Sequence, residues 1–182
     1  ARAQTGMTGE PVFFWAGNLD ANKDPLTVLA GFELALPAMP QARLYMAYRY
    51  ADLLPQVKAR MAQSPTLAGA VTLLGSFPHA DMERYFNSAD YFVQGSHREG
   101  SGYALNDALA CGVVPVVTDI PTFRVMTHQG AFGALWPVDD AAALADALRT
   151  VTARPWAEQS AAARQFFDAQ LSISAIARQA LA

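Results

Sequence analysis

Short unbroken apolar runs alternate along this chain with longer stretches in which apolar residues return every three or four positions. Residues 12–16 (VFFWA) contain no polar position, which predicts a strand buried on both faces. Residues 43–47, 70–74, 91–94, 113–118 and 132–135 read as five further strands. Helices are predicted from Asp24-Pro25 to about Leu36, then over 53–63, 79–88, 102–110, 121–128 and 140–150. Residues 156–182 read as one or two more. Asp24 is a suitable N-cap and Pro25 suits the first helical position, while Gly112 would end the helix before it. Ala141, Leu144, Ala145 and Leu148 share one helical face.

Strict alternation of strand and helix predicts an α/β fold, a doubly wound parallel sheet of about six strands with helices on both sides. Residues 1–10 are polar and read as a structureless linker remnant, leaving 11–182 as one domain. Ligands of such sheets bind beyond the carboxyl ends of the strands. Two loops fall there, residues 17–24 after the first strand and 95–101 after the fourth.

Composition narrows the functional classes. Charged residues make up 16% of the 182, against roughly 25% in an average globular chain. So thinly charged a surface suits either a face that meets another domain or an alanine-rich composition. No run of Lys or Arg points to nucleic acid or an anionic membrane. The longest apolar stretch, residues 111–117, is far too short to span a bilayer. A single cysteine, Cys111, rules out an internal disulfide or a cysteine metal cluster, and no two histidines have metal-ligand spacing. No metal site is expected.

Two segments carry candidate chemistry. In Gly17-Asn18-Leu19-Asp20-Ala21-Asn22-Lys23-Asp24, Gly17 permits a tight turn and a close backbone approach. Lys23 is a mobile cation near a helix start, where amides already favour an anion. Together they suit a phosphate, though a solvated lysine beside a plain turn has the same sequence. In Ser96-His97-Arg98-Glu99-Gly100-Ser101-Gly102-Tyr103, two glycines expose amides before a helix that also carries Asp107. That segment suits an anion or sugar hydroxyls, and it equally suits a helix with a surface carboxylate near each end. Glu99 and Asp107, eight residues apart, would be separated by on the order of 10 Å.

These segments also resemble a family. Gly17…Lys23 followed by Asp24-Pro25 is similar to the G-R-L-x-x-x-K segment of the group-1 (family 4) glycosyltransferases of the two-domain GT-B fold. Ser96-x-x-Glu99-Gly100-x-Gly102, followed by Asp107-Ala-Leu-Ala-Cys-Gly112-Val-Val-Pro115, resembles their S-x-x-E-G-F-G…E-A-M-A-x-G-x-P block. Ser88-Ala89-Asp90-Tyr91-Phe92-Val93 and Leu135-Trp136-Pro137 fall in matching places, so the resemblance runs collinearly from residue 12 to about 150.

It implies the Rossmann-like C-terminal, donor-binding half of a retaining glycosyltransferase. Lys23 and Gly17 would hold the donor's diphosphate. Glu99 would face the transferred sugar and stabilise charge at its anomeric carbon. The backbone from Gly100 through Ser101 and Gly102 to Tyr103, with Ser96, would cradle phosphate and sugar hydroxyls, and Asp107 would meet the ribose. No cofactor or essential metal is implied; the nucleoside-diphosphate sugar is the substrate. The acceptor, a glycan, lipid or small molecule, would be held by an N-terminal domain absent from this chain. A cytoplasmic location is expected, with any contact to the inner membrane made through that domain.

The chain departs from the pattern in places. Asn18 replaces the arginine, Asp107 replaces the second glutamate, and Ser101 replaces the usual Phe. Arg98 or Arg124 is the expected substitute for the lost cation. A non-catalytic nucleotide-sugar-binding module or partner subunit is the alternative those departures favour. An epimerase of the same architecture would need carboxylates and histidines clustered for proton abstraction. Trp15 and Trp136 read as packing residues, His79 and His128 as exposed, and Cys111 as a small buried hydrophobe, while His97 in the cradle loop reads either as a solvent-exposed residue or as one that touches ligand. Ser96 and Ser101 lack a base in any recognisable nucleophile motif.

Overall fold

The computed structural model describes residues 1–180. Six strands form one sheet: β1 (Val12–Gly17), β2 (Arg43–Tyr48), β3 (Val71–Gly75), β4 (Tyr91–Gln94), β5 (Val114–Thr118) and β6 (Ala134–Trp136). Every pairing is parallel and the order is β3-β2-β1-β4-β5-β6. The winding reverses between β1 and β4. Loops leaving those two strands therefore diverge, and a crevice opens at their carboxyl ends. The doubly wound parallel sheet is as the apolar pattern predicts.

Ten α-helices accompany the sheet among the described residues: α1 (Arg2–Thr5), α2 (Pro25–Ala35), α3 (Leu54–Ala62), α4 (Pro65–Ala70), α5 (Met82–Phe86), α6 (Tyr103–Ala110), α7 (Pro121–Met126), α8 (Ala141–Thr152), α9 (Trp156–Phe166) and α10 (Ile173–Ala180). Phe13 and Trp15 of β1 pack toward α2 and α8, against Phe32, Leu144 and Leu148. Phe14 and Ala16 point the other way, toward Phe86, Leu105 and Phe123 of α5, α6 and α7. This is why the run VFFWA needs no polar position: no side chain from Val12 to Ala16 is more than 4% exposed. Each large one contributes roughly 1.5–3 kcal/mol by leaving water.

Caps fix several helix starts. Asp24, at φ 43°, accepts from the Thr27 amide at 3.1 Å, and Asp140 caps α8 through the Ala143 amide at 2.8 Å. Ser64 does the same for α4, accepting from Leu67 N at 3.2 Å. The sequence reading missed α4. Ser64-Pro65 repeats the Asp24-Pro25 start signal, but six residues with Gly69 among them carry no helical periodicity. The helix predicted over 121–128 stops at Met126, because His128 and Gln129 both turn to positive φ. The last strand begins two residues later than expected and ends one residue later. Of the span 156–182, α9, a π-helical turn over Phe167–Leu171 and α10 are described; residues 181 and 182 lie outside the described residues.

One expectation is corrected outright. Residues 1–10 are not structureless. Arg2 sends its Nη2 to both carboxylate oxygens of Asp90, at 2.8 and 2.7 Å. The same Asp90 accepts from Val12 N at 2.7 Å, and Met7 is buried. A salt bridge to the foot of the sheet holds α1 where polarity alone suggested a free tail. No helix among the described residues is long and apolar enough to cross a membrane.

Helices α2 and α8 approach each other tightly at Gly31 of α2. A Cβ there would lie 2.7–2.8 Å from the Cβ, Cγ and Cδ2 of Leu144 in α8. Alanine normally favours a helix over glycine by about 1 kcal/mol, yet here it must push two packed helices apart. Gly31→Ala is expected to destabilise the chain by about 1–3 kcal/mol. Adding Leu144→Ala should make the pair markedly non-additive in chemical denaturation.

Candidate functional site

The crevice is closed by a direct join between the two loops that border it. Asn22 Nδ2 donates to the Arg98 carbonyl at 3.1 Å, and Asn22 Oδ1 accepts from the Arg98 amide at 3.1 Å. His97 N donates to the Asn22 carbonyl at 2.8 Å. The approach leaves little room for a side chain at position 95: a Cβ there would sit 3.1 Å from the Asp24 carbonyl and 3.0 Å from a methyl of Val28. Neither Asn22 nor Gly95 stands out in the sequence, since the partners of each lie far away along the chain.

The join brings Lys23 and Glu99 together. Lys23 Nζ forms an ion pair with Glu99 Oε1, and the side chains are only 18% and 12% exposed. Ser96 Oγ donates to the same Oε1 at 2.8 Å. Behind them, Thr118 Oγ1 at the end of β5 donates to the Ser96 carbonyl at 2.5 Å, and Thr122 Oγ1 of α7 donates to the Glu99 carbonyl at 2.6 Å. The carboxylate is thus held by Ser96, and the backbone of its loop by two hydroxyls from the next βα unit. Ser96 does have a carboxylate beside it, but it is fully buried and closed to a substrate as a nucleophile.

His97 is half-buried rather than a free loop residue. Its Nε2 lies 3.3 Å from Asp24 Oδ2 and 3.2 Å from Asp139 Oδ1. It ties the loops after β1, β4 and β6 to one ring. These three residues are the one group of His, Cys, Asp and Glu among the described residues with ligand atoms close enough to share a metal ion. Asp24 is also engaged as the cap of α2.

The remaining predicted residues divide. Gly100 and Ser101 are exposed beside Glu99. Gly102 caps α6 at φ 59°, with Met126 Sδ 2.7 Å from where a Cβ would stand. Tyr103 is 78% exposed. Asp107 is not part of the Lys23–Glu99 group; it faces His79, with Oδ2 3.8 Å from Nε2. Burial raises its carboxyl above the usual range, and His79 offsets this in part. Arg124 is held in a two-point pair with Asp119, which lowers the Asp119 carboxyl and raises the guanidinium. Trp15 and Trp136 are fully buried, as packing residues should be, and His79 and His128 are exposed.

Beyond the carboxyl ends of β1, β2 and β3 lies an open cavity of about 650 Å³, lined among others by Gly17, Asn18, Tyr48, Arg49, Phe77 and His79. His79 also borders a second cavity, of about 320 Å³, that contains Asp107 and Cys111. The two spaces flank one loop. The crevice therefore offers a cation and a carboxylate at its centre and an aromatic-walled hollow to one side. That sequence of surfaces suits an extended, anionic, ring-bearing ligand.

Two measurements check this geometry. Thr118→Val keeps the side chain's shape but removes the donor to Ser96, leaving a buried carbonyl unpaired. A loss of about 1–3 kcal/mol in unfolding free energy is expected. Cys111 tests the burial around Asp107. Its desolvation, with Glu83 and Asp107 nearby, pushes the thiol up to about 11. Only about one molecule in a thousand then carries the thiolate at pH 8. Alkylation of the folded chain should still be climbing above pH 10, and unfolding should accelerate it at pH 8.

The family model for glycosyl transferases group 1 matches residues 10–154. The GDP-mannose:cellobiosyl-diphosphopolyprenol alpha-mannosyltransferase of Xanthomonas oryzae pv. oryzae is 28% identical over 148 residues, covering 81% of this chain and 39% of that protein. The phosphatidyl-myo-inositol mannosyltransferase of Mycolicibacterium smegmatis is 37% identical over 87 residues, 47% of this chain and 22% of its own. The chain thus spans well under half the length of these relatives. Among solved structures, sucrose-phosphate synthase from Thermosynechococcus elongatus superposes with a TM-score of 0.84 at 26% identity, over 98% of this chain and 46% of that one. The Anabaena protein HepE in complex with UDP and glucose gives 0.85 at 18% identity, over 99% and 49%. The C-terminal domain of a group 1 glycosyl transferase from Francisella tularensis gives 0.82 at 14% identity, over 94% and 91%. With a family match across most of its length and this fold around the crevice, the chain belongs to the group 1 glycosyl transferases and has the architecture of their C-terminal domain.

Proposed function

We propose that this chain is the donor-binding half of a retaining glycosyltransferase that takes its sugar from a nucleoside-diphosphate sugar. The observation that carries the reading is the meeting of Lys23 and Glu99 across the switch-point crevice. Solved neighbours described with UDP, and a relative named for GDP-mannose, support a nucleotide-sugar donor. In this reading the donor's diphosphate draws Lys23 away from Glu99. Lys23 and the amides at the start of α6 then offset the charge of the departing diphosphate. Glu99, held in place by Ser96 and backed by Thr122, faces the transferred sugar and stabilises positive charge at its anomeric carbon. Asp107 and His79 meet the ribose on the way to the cavity beyond β3. No metal is required, because a lysine and a helix start already face the leaving group. The acceptor would be bound by a second domain across the crevice.

Calorimetry with UDP, GDP and ADP, and transfer assays on the full-length protein, test the two roles separately. Lys23→Ala should weaken binding of the preferred nucleotide about tenfold or more, as expected for loss of a charge-assisted contact. Glu99→Gln should keep or tighten that binding, since it frees Lys23, while transfer falls by two orders of magnitude or more. Normal transfer by Glu99→Gln would end the catalytic assignment. Failure of all three nucleotides to bind the unmodified protein would end the donor reading altogether.

A further inference from the structure

A diphosphate brings several negative charges into a crevice whose cations are largely committed. Lys23 is paired with Glu99 and Arg124 with Asp119. Position 18, at the mouth of the cavity, is a neutral asparagine. Arg98 has its backbone fastened to Asn22 and does not line the cavity. Arg49 is placed differently. β1 and β2 run in register to Gly17 opposite Tyr48, and Leu19 N donates to the Tyr50 carbonyl at 2.8 Å. Asn18 and Arg49 are therefore neighbours across the two strand ends, and both line the cavity. Arg49 is exposed and has no carboxylate partner among the described residues. Its guanidinium carbon lies 5.4 Å from the centre of the Tyr50 ring, a contact that limits its rotamers without neutralising its charge.

We propose that Arg49 is a phosphate-binding residue of this site, giving the donor's diphosphate the guanidinium that position 18 lacks. The inference rests on the donor reading above and adds a residue to it. A guanidinium suits the task because it offers a planar pair of donors to two phosphate oxygens. The neighbouring Gly17 leaves the backbone bare, and Tyr48 and Phe77 supply aromatic surface for the base in the same cavity. Phosphate on Arg49 and base on the aromatic wall fit one nucleoside diphosphate lying along the carboxyl edge. Tyr50 is a positioning residue: it holds the guanidinium beside the cavity and need not touch the ligand.

The test uses Arg49→Gln, and Arg49→Gln combined with Asn18→Arg. Each is titrated with UDP, GDP and ADP by calorimetry, and with the matching nucleosides by ligand-observed NMR. Arg49 is exposed and its side chain has no hydrogen-bond or carboxylate partner among the described residues, so far-UV circular dichroism should match the unmodified protein. Arg49→Gln is expected to lose about tenfold or more in affinity for the preferred diphosphate and none for its nucleoside. Its binding should also depend less steeply on salt. Asn18→Arg should recover most of the loss by returning a guanidinium from the adjacent strand end. Equal diphosphate affinity in Arg49→Gln, or an equal loss for nucleoside and diphosphate, overturns the proposal and leaves the donor reading standing. If no nucleotide binds the unmodified protein, both fall together.

Discussion

The exchange of hydrogen bonds between Asn22 and the backbone of Arg98 is the constraint on which the crevice depends. β1 and β4 are neighbours in the sheet, but their loops leave toward opposite sides, and nothing in the strand pairing brings those loops together. The Asn22 side chain uses both ends of its amide to do so. Gly95 eases the approach by leaving the Asp24 carbonyl unobstructed. Once the loops are joined, the positions of Lys23, Glu99 and His97 follow from the chain geometry. A site assembled this way inherits the stiffness of the sheet beneath it, because each loop is only a few residues from a strand with no exposed core position.

That stiffness matters for the electrostatics. A lysine and a glutamate this little exposed would each be costly to leave unpaired. Their mutual contact, with Ser96 as a further donor to the carboxylate, resolves the problem. In the proposed donor reading, an anion that engages the lysine releases the glutamate. Ser96 holds the carboxylate itself, and Thr122 holds the Glu99 backbone carbonyl.

Local pattern made the strands and their all-parallel arrangement readable, because a doubly buried strand has no room for polar residues and residues 12–16 contain none. The helix start at Asp24 is plain from its capping side chain, and the helix from Asp140 from its apolar face. The same capping chemistry at Ser64 was overlooked because α4 is too short to show a period. The docking of residues 1–10 was unreadable for another reason: it depends on Asp90, eighty-eight positions from Arg2, and composition gives no hint of the pairing. Within the crevice, Gly17, Lys23 and Glu99 could be named from the sequence, but their contact could not. Gly95, Asn22, Thr118 and Thr122 went unremarked, since each acts through a partner remote in sequence. The reading of His97 stays open in the sequence because loops look exposed until the loops beside them are placed.

Arg49 shows why a substitution within a motif is a poor guide to a site's charge. The resemblance to the family puts an arginine at position 18, and Asn18 reads in isolation as a loss. In a parallel sheet, however, the residues beyond two adjacent strand ends share one space, since the register that pairs Gly17 with Tyr48 carries forward to the next position on each chain. A cation on either strand end reaches the same volume. What physics constrains is the charge in the cavity, and two positions thirty-one residues apart are equivalent places to supply it. The covering ring of Tyr50 strengthens the point: a lone arginine on a flexible loop would lose much of its value to rotamer entropy on binding, whereas one lying against an aromatic face has less to lose.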